Sequence, residues 1–517
     1  MENNLPVITP DKFEFAQLDE VIHDKKLETK SRGYFADAFL RFKKNKSSVV
    51  AAIIIGFLVL FAIFAPILSP YTVDDKNNIY VNFAPFVKPI ADMNIGLFDG
   101  GTVMNSQNQK QLDNLKAIGT ETGLDPVIKI VDTYTQTEKY RGKDREVNYY
   151  KVRVNKYYQV GIRYMVLSYD EFERIQKFQD ETGLQVIYPY VDPKDICGID
   201  NNANIWYKVT DEKGTADTDV NGNRIPAYST NKKIEGPEYH SIRIPGDDGS
   251  YIYSCAKSGS VKVRICYFNY YSFEHYNAET GDYIVPAYIF GTDQMGRDLF
   301  CAIGSGARFS LIFAVIVSAI NLTIGAIYGA IQGYYGGVID LILDRITDIL
   351  SGLPSIVVIT LFQLHLAQKV GSVPSFLFAY IATGWIGMAA LTRKQFYRFK
   401  NQEHILAART LGASDWRLMF KHIFPNAIGT IITSCVLVIP GVISSETTLT
   451  YLGIINLADF TGTSIGELMS FGQSCMTAAP HAMIFPALFV SLLLISFNLF
   501  GNGLRDAFNP TTRGAED

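Results

Sequence analysis

Three charged residues lie inside or beside long apolar stretches of this chain of 517 residues. Glu446 stands near the end of the apolar run Ile428–Thr448, and Arg345 and Asp348 stand near the start of another. Because a charged side chain is costly inside a membrane, such a residue is a functional candidate by default. Glu446 is therefore a candidate for substrate contact. Arg345 and Asp348 could form an ion pair with each other, or they could reach the basic residues of Arg393–Asn426 further along the chain.

A second group of polar residues forms the sequence GTDQMGRD at residues 291–298. Asp293, Arg297 and Asp298 could pair there as a small ion network at a membrane surface. The alternative is an ordinary solvated turn. In either case the group precedes the apolar run that begins at Phe309.

The six cysteines include no C-x-x-C pair and show no spacing typical of a metal site. Cys255 and Cys266 flank a glycine-containing turn, and they could form a disulfide if that region lies outside the cell. Three others lie in or next to apolar segments and are predicted to be packing residues: Cys301, Cys435 and Cys475. We predict no metal site.

Several kinds of chemistry are absent from the sequence. There is no G-x-x-x-x-G-K-[ST] phosphate loop, no H-E-x-x-H pair and no Ser-His-Asp arrangement in a recognisable frame. We therefore predict no catalytic residue and no enzymatic activity in this polypeptide. The formal net charge of −4 gives no basic field, so nucleic acid is not an expected partner.

The segment Arg393–Asn426, called the basic segment below, is too polar to cross a membrane, yet apolar runs flank it on both sides. Its residues Glu403–Leu411 include good helix formers, and Gly412 suits the end of that helix. Ser414 is predicted to cap a second short helix.

This second helix has apolar residues at i, i+3, i+4 and i+7, which predicts one apolar face: Trp416, Met419, Phe420 and Ile423. Pro425 is predicted to stop the helix before the next apolar run. A helix–turn–helix that is apolar on one side and basic on the other is a shape for docking another protein.

The apolar runs predict six membrane spans. Ser47–Leu68 is long enough to cross a bilayer, and the basic residues ahead of it place the N-terminus inside the cell. Seven basic residues against two acidic ones place the basic segment inside as well. Gly325, Gly329 and Gly333 lie four residues apart on one face of the second span, which predicts that another helix packs closely there. The other predicted spans are Phe309–Gln332, 337–366, Pro374–Leu391, Ile428–Thr448 and Ala482–Phe500.

Between the first two spans, Tyr71–Ile289 is polar and rich in tyrosine. Three alternating runs there predict strands: Tyr149–Tyr158, Gln159–Leu167 and Ser250–Tyr253. Ser168 and Glu171 form a capping box for a helix that ends at Gly183. The region is predicted to be an α+β domain on the outside of the cell.

The expected division of the chain follows from these elements. It comprises a cytoplasmic tail with an interfacial helix (1–46), the first span (47–68), an extracytoplasmic inserted domain (69–290), a second membrane domain with spans two to six and the loop 393–426 (291–510), and a cytoplasmic tail (511–517).

Two of these sequences resemble one known family. The run AARTLGASDWRLMFKHIFPN is similar to the coupling-helix loop of bacterial ABC-importer permeases, with Ala407, Ala408, Gly412 and Pro425 in the recurring positions. The chain departs at Leu406, where many members carry Glu. The peptide-importer branch often places its Glu three residues earlier, and here that residue is Glu403. The resemblance implies that contacts to an ATPase come from this loop, including Ser414, Asp415 and Trp416.

The sequence GTDQMGRD resembles the signature ahead of the second span in permeases of oligopeptide and dipeptide importers, with every signature residue present: Gly291, Thr292, Asp293, Gly296, Arg297 and Asp298. The run SSETTLTYLGI is similar to a family segment at the outer boundary, which implies a capping or tethering role for Glu446. The inserted domain is not part of the family's common pattern.

The resemblance implies the C-type permease subunit of an oligopeptide or dipeptide ABC importer, with the MetI-like, six-helix fold of type I importers. It implies as partners a homologous permease, two ABC ATPases, a peptide-binding protein or lipoprotein outside the cell, and the peptide substrate. ATP and magnesium would bind to the ATPases and no cofactor to this chain. The expected location is the bacterial cell membrane, with both termini cytoplasmic.

Two other functions stay open. Nickel-importing members share these motifs, so the cargo could be a metal chelate or another small solute. In a different class, the chain could be an extracellular receptor or adhesion protein that uses its spans as an anchor. Anchoring requires neither six spans nor an apolar-faced basic loop, which argues against that alternative.

Overall fold

The computed structural model describes residues 34–508 except 94, 141–142, 189–190, 192–193, 198, 200–201, 213, 229–243, 246–250, 253–259 and 458–461. The chain begins in the described part with two helices, α1 (Tyr34–Lys44) and α2 (Lys46–Leu68). Asn45 separates them and accepts a hydrogen bond from the amide of Ser48, which starts α2. Helix α2 has 23 residues, nearly all of them apolar, and is long enough to cross a bilayer, as predicted for the first span.

The region 69–290, called the insert below, contains both strands and helices. In chain order these are α3 (Lys88–Ala91), β1 (Gly101–Asn108), α4 (Gln109–Thr122), β2 (Val127–Tyr140), β3 (Lys143–Asn155), α5 (Lys156–Gln159), β4 (Ile162–Ser168), α6 (Tyr169–Thr182), β5 (Ile187–Tyr188), β6 (Ile244–Pro245), β7 (Tyr251–Ile252), β8 (Ser260–Cys266) and α7 (Tyr267–Glu274).

All described strand pairs in the insert are antiparallel. The sheet orders are β1-β3-β2, β4-β8-β5 and β6-β7. A buried ion pair joins the first two sheets, because Glu121 on α4 accepts two hydrogen bonds of 2.8 Å from Arg264 on β8. Arg264 also donates to the carbonyl of Ala203, so its buried charge is well satisfied.

Strand boundaries in the insert differ from the predicted ones by a few residues. The predicted strand Tyr149–Tyr158 ends at Asn155, because the Asn155 side chain accepts hydrogen bonds from the amides of Tyr157 and Tyr158 and starts α5. The strand predicted at Gln159–Leu167 begins at Ile162. Ser168 caps α6 by accepting from the amide of Glu171, which is one half of the predicted capping box, whereas Glu171 Oε1 accepts from the Tyr270 hydroxyl. Helix α6 ends before Gly183, as predicted. The run Ser250–Tyr253 has only its two central residues inside the described part, as β7.

Aromatic side chains form the core at the base of the insert, where it meets the membrane helices. Tyr80 is fully buried and has its ring centroid 5.1 Å from that of Tyr157. Tyr157 in turn lies 4.7 Å from Phe86 and 5.8 Å from Tyr288. The base is therefore a single packed layer that joins residues before β1, after β3 and ahead of the second span.

The described residues after Asp298 are mostly helical. The helices are α8 (Leu299–Tyr335), α9 (Gly337–Ser351), α10 (Ser355–Val370), α11 (Ser372–Thr383), α12 (Ile386–Phe399), α13 (Glu403–Thr410), α14 (Asp415–Arg417), a π-helical stretch (Leu418–Ile423), α15 (Phe424–Tyr451), α16 (Ile465–Ser474) and α17 (His481–Phe508). Helix α8 begins beside the insert and ends beside the basic segment. Helix α15 runs in the opposite direction.

Five helices in the described residues are long and apolar enough to cross a membrane, and a bent pair is a sixth candidate. The predicted third span, 337–366, contains a sharp bend, because α9 and α10 meet at an angle of 73°, so the prediction of six spans is not confirmed. The break falls at Gly352–Pro354, where proline cannot continue the hydrogen-bond ladder and restricts the residue before it. The second span is longer than predicted and reaches 37 residues.

Pro425 and Pro440 do not interrupt the helix of the fifth span, so the prediction that Pro425 stops the preceding helix is wrong. The helix is continuous over Asp415–Tyr451. Pro425 lies in the first turn of α15, directly after the π-helical stretch, where the hydrogen-bond ladder is already rearranged and the missing amide costs little. Pro440 lies inside α15 and is buried, and packing of α15 against α8 and α17 holds the helix together there.

Candidate functional site

The basic segment folds as two helical pieces around a tight turn. Gly412 has φ +83°, a left-handed conformation that glycine adopts without strain, and this turn separates α13 from α14. Ser414 occupies the predicted N-cap position of α14, but its side chain makes no capping hydrogen bond. That part of the prediction is wrong, and the turn is fixed by its backbone instead.

The buried face of the segment agrees only in part with the predicted one, because Met419 and Ile423 are buried whereas Trp416 is exposed. Leu418, Met419 and Ile423 are buried against Ile405 of α13 and Phe396 of α12. Trp416 is 65% exposed and has its ring centroid 4.1 Å from that of Phe420. The predicted spacing assumed a regular α-helix. The π-helical stretch has a different residue spacing and turns Trp416 outward.

Most of the residues expected to meet a partner are exposed in the described part of the chain, and Ala408 alone is half-buried. The exposed ones are Glu403, Ala407, Gly412, Ser414, Asp415, Trp416 and Pro425. The segment therefore offers a continuous outer face, while its inner face packs on the ends of α8 and α12.

Three polar contacts tie the segment to the end of α8. The Tyr334 hydroxyl donates to Asp415 Oδ1 over 2.5 Å, and the Arg409 guanidinium lies 5.7 Å from the centre of the Tyr334 ring. Lys400 Nζ donates to the carbonyl of Gly333 over 3.0 Å, where α8 leaves carbonyls without helical partners. Burial lowers the pKa of Lys400. A displacement of the segment must therefore move α8.

The main ion network in this part of the molecule centres on Arg393 of α12. Its two terminal nitrogens donate to Asp340 Oδ2 and Asp344 Oδ1 of α9, each over 2.6 Å. Tyr397 also donates to Asp340, and Gln332 of α8 donates to Asp344 over 3.3 Å. The network joins three helices just ahead of α13. Sequence reasoning missed it, although two aspartates four residues apart and an arginine at the start of the basic segment were visible signals.

Helices α8 and α12 approach closely along the predicted glycine face. A Cβ atom on Gly325 would lie 2.7 Å from the carbonyl oxygen of Trp385, and one on Gly333 would lie 2.7 Å from that of Arg393. A Cβ on Gly329, between them, would overlap the carbonyl of Ala389. These glycines serve packing, as predicted, and they hold α12 at a fixed height against α8.

The group at residues 291–298 ties the start of α8 to the base of the insert. Arg297 and Asp293 form a buried ion pair of 2.7 Å, and Arg297 also donates to the carbonyl of Gly462 over 2.9 Å. Thr292 donates to the carbonyl of Tyr80 over 2.6 Å. The group is buried, so the alternative of a solvated turn is wrong.

Asp298 belongs to the same group but has another role. It caps α8 by accepting from the amides of Phe300 and Cys301, and it accepts a hydrogen bond of 2.8 Å from Ser69 at the end of α2. Burial raises the pKa of the Asp298 carboxyl to about 6. It therefore joins the first two spans rather than the predicted ion network.

Comparison with known proteins assigns the chain to a family. Residues 322–514 match the family model described as binding-protein-dependent transport system inner membrane component, and residues 33–85 match the N-terminal transmembrane domain of oligopeptide transport permease C. The oligopeptide transport system permease protein OppC of Bacillus subtilis is 41% identical over 224 residues, which is 43% of this chain and 72% of that protein. The chain belongs to the family of binding-protein-dependent transport system inner membrane components.

A second relative and one solved structure are also similar to this permease. The dipeptide transport system permease protein DppC of Bacillus subtilis is 39% identical over 225 residues, covering 43% of this chain and 69% of that protein. A structure of the MetNI methionine ABC transporter in an inward-facing conformation aligns with a TM-score of 0.32 at 13% identity, over 39% of this chain and 96% of that one. Residues 86–321, which hold most of the insert, lie between the two family matches.

The charged residues that the sequence places in or beside the spans of this permease lie in two different environments, one buried and one exposed. Glu446 is fully buried, and its Oε2 accepts a hydrogen bond of 2.7 Å from Ser310 of α8. It therefore points between α15 and α8. Arg345 and Asp348 pair with each other over 2.9 Å on the exposed side of α9, one of the two predicted alternatives.

A cleft of about 430 Å³ lies between α10, α11 and α15 of this permease. Apolar side chains such as Ile359 and Leu449 share its walls with an unusual number of hydroxyl groups. The residues that supply these hydroxyls are Ser355, Tyr380, Thr383, Ser444, Ser445 and Thr448. Glu446 is not among the lining residues. Sequence reasoning missed the cleft, because its walls come from three helices that periodicity alone cannot bring together.

Only one of the two cysteines of the predicted disulfide lies among the described residues of this permease. Cys266 is buried at the end of β8, and burial raises the pKa of its thiol to about 11. Cys255 lies outside the described residues. The bridge between them stays a prediction.

Proposed function

We propose that this chain is the C-type permease subunit of an ATP-driven importer of oligopeptides or dipeptides. The observation that supports peptides as the cargo is the identity of about 40% to permeases of oligopeptide and dipeptide transport systems. A homologous permease completes the translocation path, and two ABC ATPases supply the energy. Nickel or another small solute is the alternative cargo within the same class.

The exposed face of the basic segment is the proposed seat of one ATPase. Trp416, Leu411 and Asp415 are exposed on a segment whose inner side is fixed to α8 and α12. An aromatic residue surrounded by polar side chains is typical of an interface anchor. Closure of the ATPases on ATP would push this face, and Tyr334 would transmit the push to α8.

The proposed orientation puts the basic segment and both termini in the cytoplasm and the insert outside. The excess of basic residues in the segment supports this through the positive-inside rule. The cell membrane of a bacterium is then the location of the protein.

The hydroxyl-lined cleft is the proposed wall of the peptide path. Peptide groups need hydrogen-bond partners when they leave water, and hydroxyls can both donate to and accept from a peptide backbone. Neutral hydroxyls would also accept peptides of any side-chain charge. The groups lie on α10, α11 and α15, whose exposed neighbours leave room for the second permease.

Uptake of labelled peptides tests the function. The chain is expressed with its neighbouring permease, ATPases and binding protein in a host that lacks its own peptide importers. Trp416→Ala should lower uptake by about tenfold, the loss of one interface anchor, at unchanged protein level. Leu452→Ala, an exposed apolar residue at the opposite end of α15, is the control and should leave uptake unchanged. Normal uptake by Trp416→Ala would overturn the proposed seat, and nickel uptake without peptide uptake would overturn the cargo.

A matched pair of variants tests the cleft. Thr448 and Thr323 are both exposed helical threonines whose hydroxyls donate to the carbonyl four residues earlier, over 2.7 and 2.8 Å. Thr448→Val should raise the peptide concentration for half-maximal uptake several-fold, because only Thr448 lines the cleft. Thr323→Val should not. Equal effects of the two variants would rule the cleft out as the path.

We further propose that the insert docks the binding protein. The β2–β3 ribbon projects from its sheet, because β1 pairs with β3 only up to Tyr149 and leaves the outer half two-stranded and exposed. Isolated two-stranded ribbons are only marginally stable in water, which favours a partner. Thr135 faces Asn148, so residues 136–147 can be replaced by a tight Asn-Gly turn. The shortened permease should bind the binding protein more weakly, and unchanged binding would overturn the role of the ribbon.

A further inference from the structure

The insert carries a short apolar loop at its base. The described residues of the 92–98 loop, 92–93 and 95–98, follow α3. Three large apolar side chains among them are exposed: Met93, Ile95 and Leu97, at 66%, 61% and 61%. Three such side chains within five residues form a patch, whereas exposed apolar residues on soluble surfaces are usually scattered.

The loop holds these side chains in a fixed arrangement. Arg153 of β3 donates to the carbonyl of Gly96 over 3.0 Å and pairs with Asp99 over 2.8 Å. The amide of Val87 donates to the carbonyl of Phe98 over 2.9 Å and closes the loop. Phe98 has φ +55°, a conformation that costs free energy for a residue with a side chain. One side of the loop is therefore anchored to the insert, and the opposite, apolar side is presented outward.

A series of backbone hydrogen bonds joins this loop to the start of helix α8. Phe86, next to the closing residue Val87, exchanges two hydrogen bonds of 2.8 Å with Tyr288. The carbonyl of Tyr288 accepts from the amide of Gly291, and the carbonyl of Gly291 accepts from the amide of Leu299, each over 3.1 Å. Leu299 is the first residue of the membrane-spanning helix α8. The loop is thus connected through a few backbone hydrogen bonds to the residue at which this membrane-spanning helix begins.

We propose that the 92–98 loop dips Met93, Ile95 and Leu97 into the surface of the lipid bilayer. Lipid at the boundary between headgroups and acyl chains is the solvent in which an exposed apolar patch of this kind is stable. The contact seats the base of the insert on the membrane and fixes the angle between the insert and α8. Fixing that angle requires a rigid loop, which the Arg153 contacts provide.

Depth-dependent quenching in the assembled complex tests this. A small environment-sensitive fluorescent amino acid is introduced by codon suppression in place of Ile95, and the complex is placed in nanodiscs containing lipids with a nitroxide on the headgroup or on the acyl chain. The same substitution at Ile53, 66% exposed in the middle of α2, marks full lipid contact. The substitution at Val220, fully exposed in a turn of the insert, marks contact with water.

The expected result is that nitroxide lipids quench the probe at position 95 at least about twofold more strongly than the probe at position 220, with the headgroup label more effective than at position 53. Arg153→Ala should reduce this quenching, because the loop loses its anchor. Quenching at position 95 equal to that at position 220 would overturn the proposal. Shielding that appears only after the binding protein is added would also overturn it and assign the loop to a protein interface.

Discussion

The hydroxyl of Tyr334, at the end of α8, donates a hydrogen bond of 2.5 Å to the carboxylate of Asp415, at the start of the helix that leads into α15. This contact joins the last turn of a 37-residue helix to the turn that exposes Trp416. Removing it alone should loosen the connection without unfolding either helix.

The first prediction concerns this connection. Tyr334→Phe removes one hydrogen bond to a charged but exposed acceptor, a loss of about 1 kcal/mol, so peptide uptake per ATP hydrolysed should fall by about fivefold. The ratio is measured in reconstituted complexes. Tyr335→Phe changes a neighbouring tyrosine that is 47% exposed and should leave the ratio unchanged. An unchanged ratio in Tyr334→Phe would show that α8 does not receive the movement.

The second prediction concerns Arg393. Arg393→Ala leaves the carboxylates of Asp340 and Asp344 facing each other without their cation, so the apparent unfolding free energy should fall by about 2 kcal/mol. Thermal unfolding in detergent measures it. Arg345→Ala breaks an ion pair whose partners are 68% and 55% exposed, and it should cost at most about 0.5 kcal/mol. Similar losses in both variants would contradict the importance of the Arg393 network.

The third prediction concerns the close approach of α8 and α12. Gly329→Ala places a methyl group on the carbonyl of Ala389, so the helices must separate, at a cost of about 3 kcal/mol. The yield of folded protein after size-exclusion chromatography should drop accordingly. Gly387→Ala, on α12, meets no atom within 4 Å and should be neutral or stabilising by up to about 1 kcal/mol. A well-folded Gly329→Ala protein would show that the two helices can slide.

The fourth prediction concerns pH. Burial raises the pKa of Asp298 from 3.8 to about 6, so between these pH values the folded state binds a proton that the unfolded state releases. The wild-type protein should therefore lose roughly 2–3 kcal/mol relative to Asp298→Asn as the pH rises from about 4 to 6. Melting curves of both proteins across this range measure the difference. Asp75→Asn, which removes an exposed carboxylate near the end of span α2, is the control variant. A flat difference for Asp298→Asn would contradict the buried cap.

Elements that depend on local composition could be predicted from the sequence. The first span follows from an uninterrupted apolar run, and the caps at Ser168 and Gly183 follow from residue types with specific backbone preferences. Gly412 has the left-handed conformation expected of it for the same reason. Local rules decide these features, so no tertiary information is needed.

Features that depend on neighbouring helices could not be predicted. Pro425 was expected to end a helix, but the π-helical stretch before it removes the conflict, and no sequence rule announces such a stretch. The outward position of Trp416 follows from the same change in residue spacing. The Arg393 network and the hydroxyl-lined cleft each combine residues from three helices. Their assembly depends on packing, which periodicity does not specify.

The uninterrupted helix from Asp415 to Tyr451 has a mechanical consequence. At about 1.5 Å per residue, its 37 residues form a strut of roughly 55 Å with Trp416 at one tip and Thr448 near the other. Because the helix has no break between these two residues, we expect a sideways force on Trp416 to displace Thr448 as well. The hydroxyl-lined cleft beside Thr448 would then widen or narrow when a partner protein presses on the indole ring of Trp416, near the opposite end of the helix.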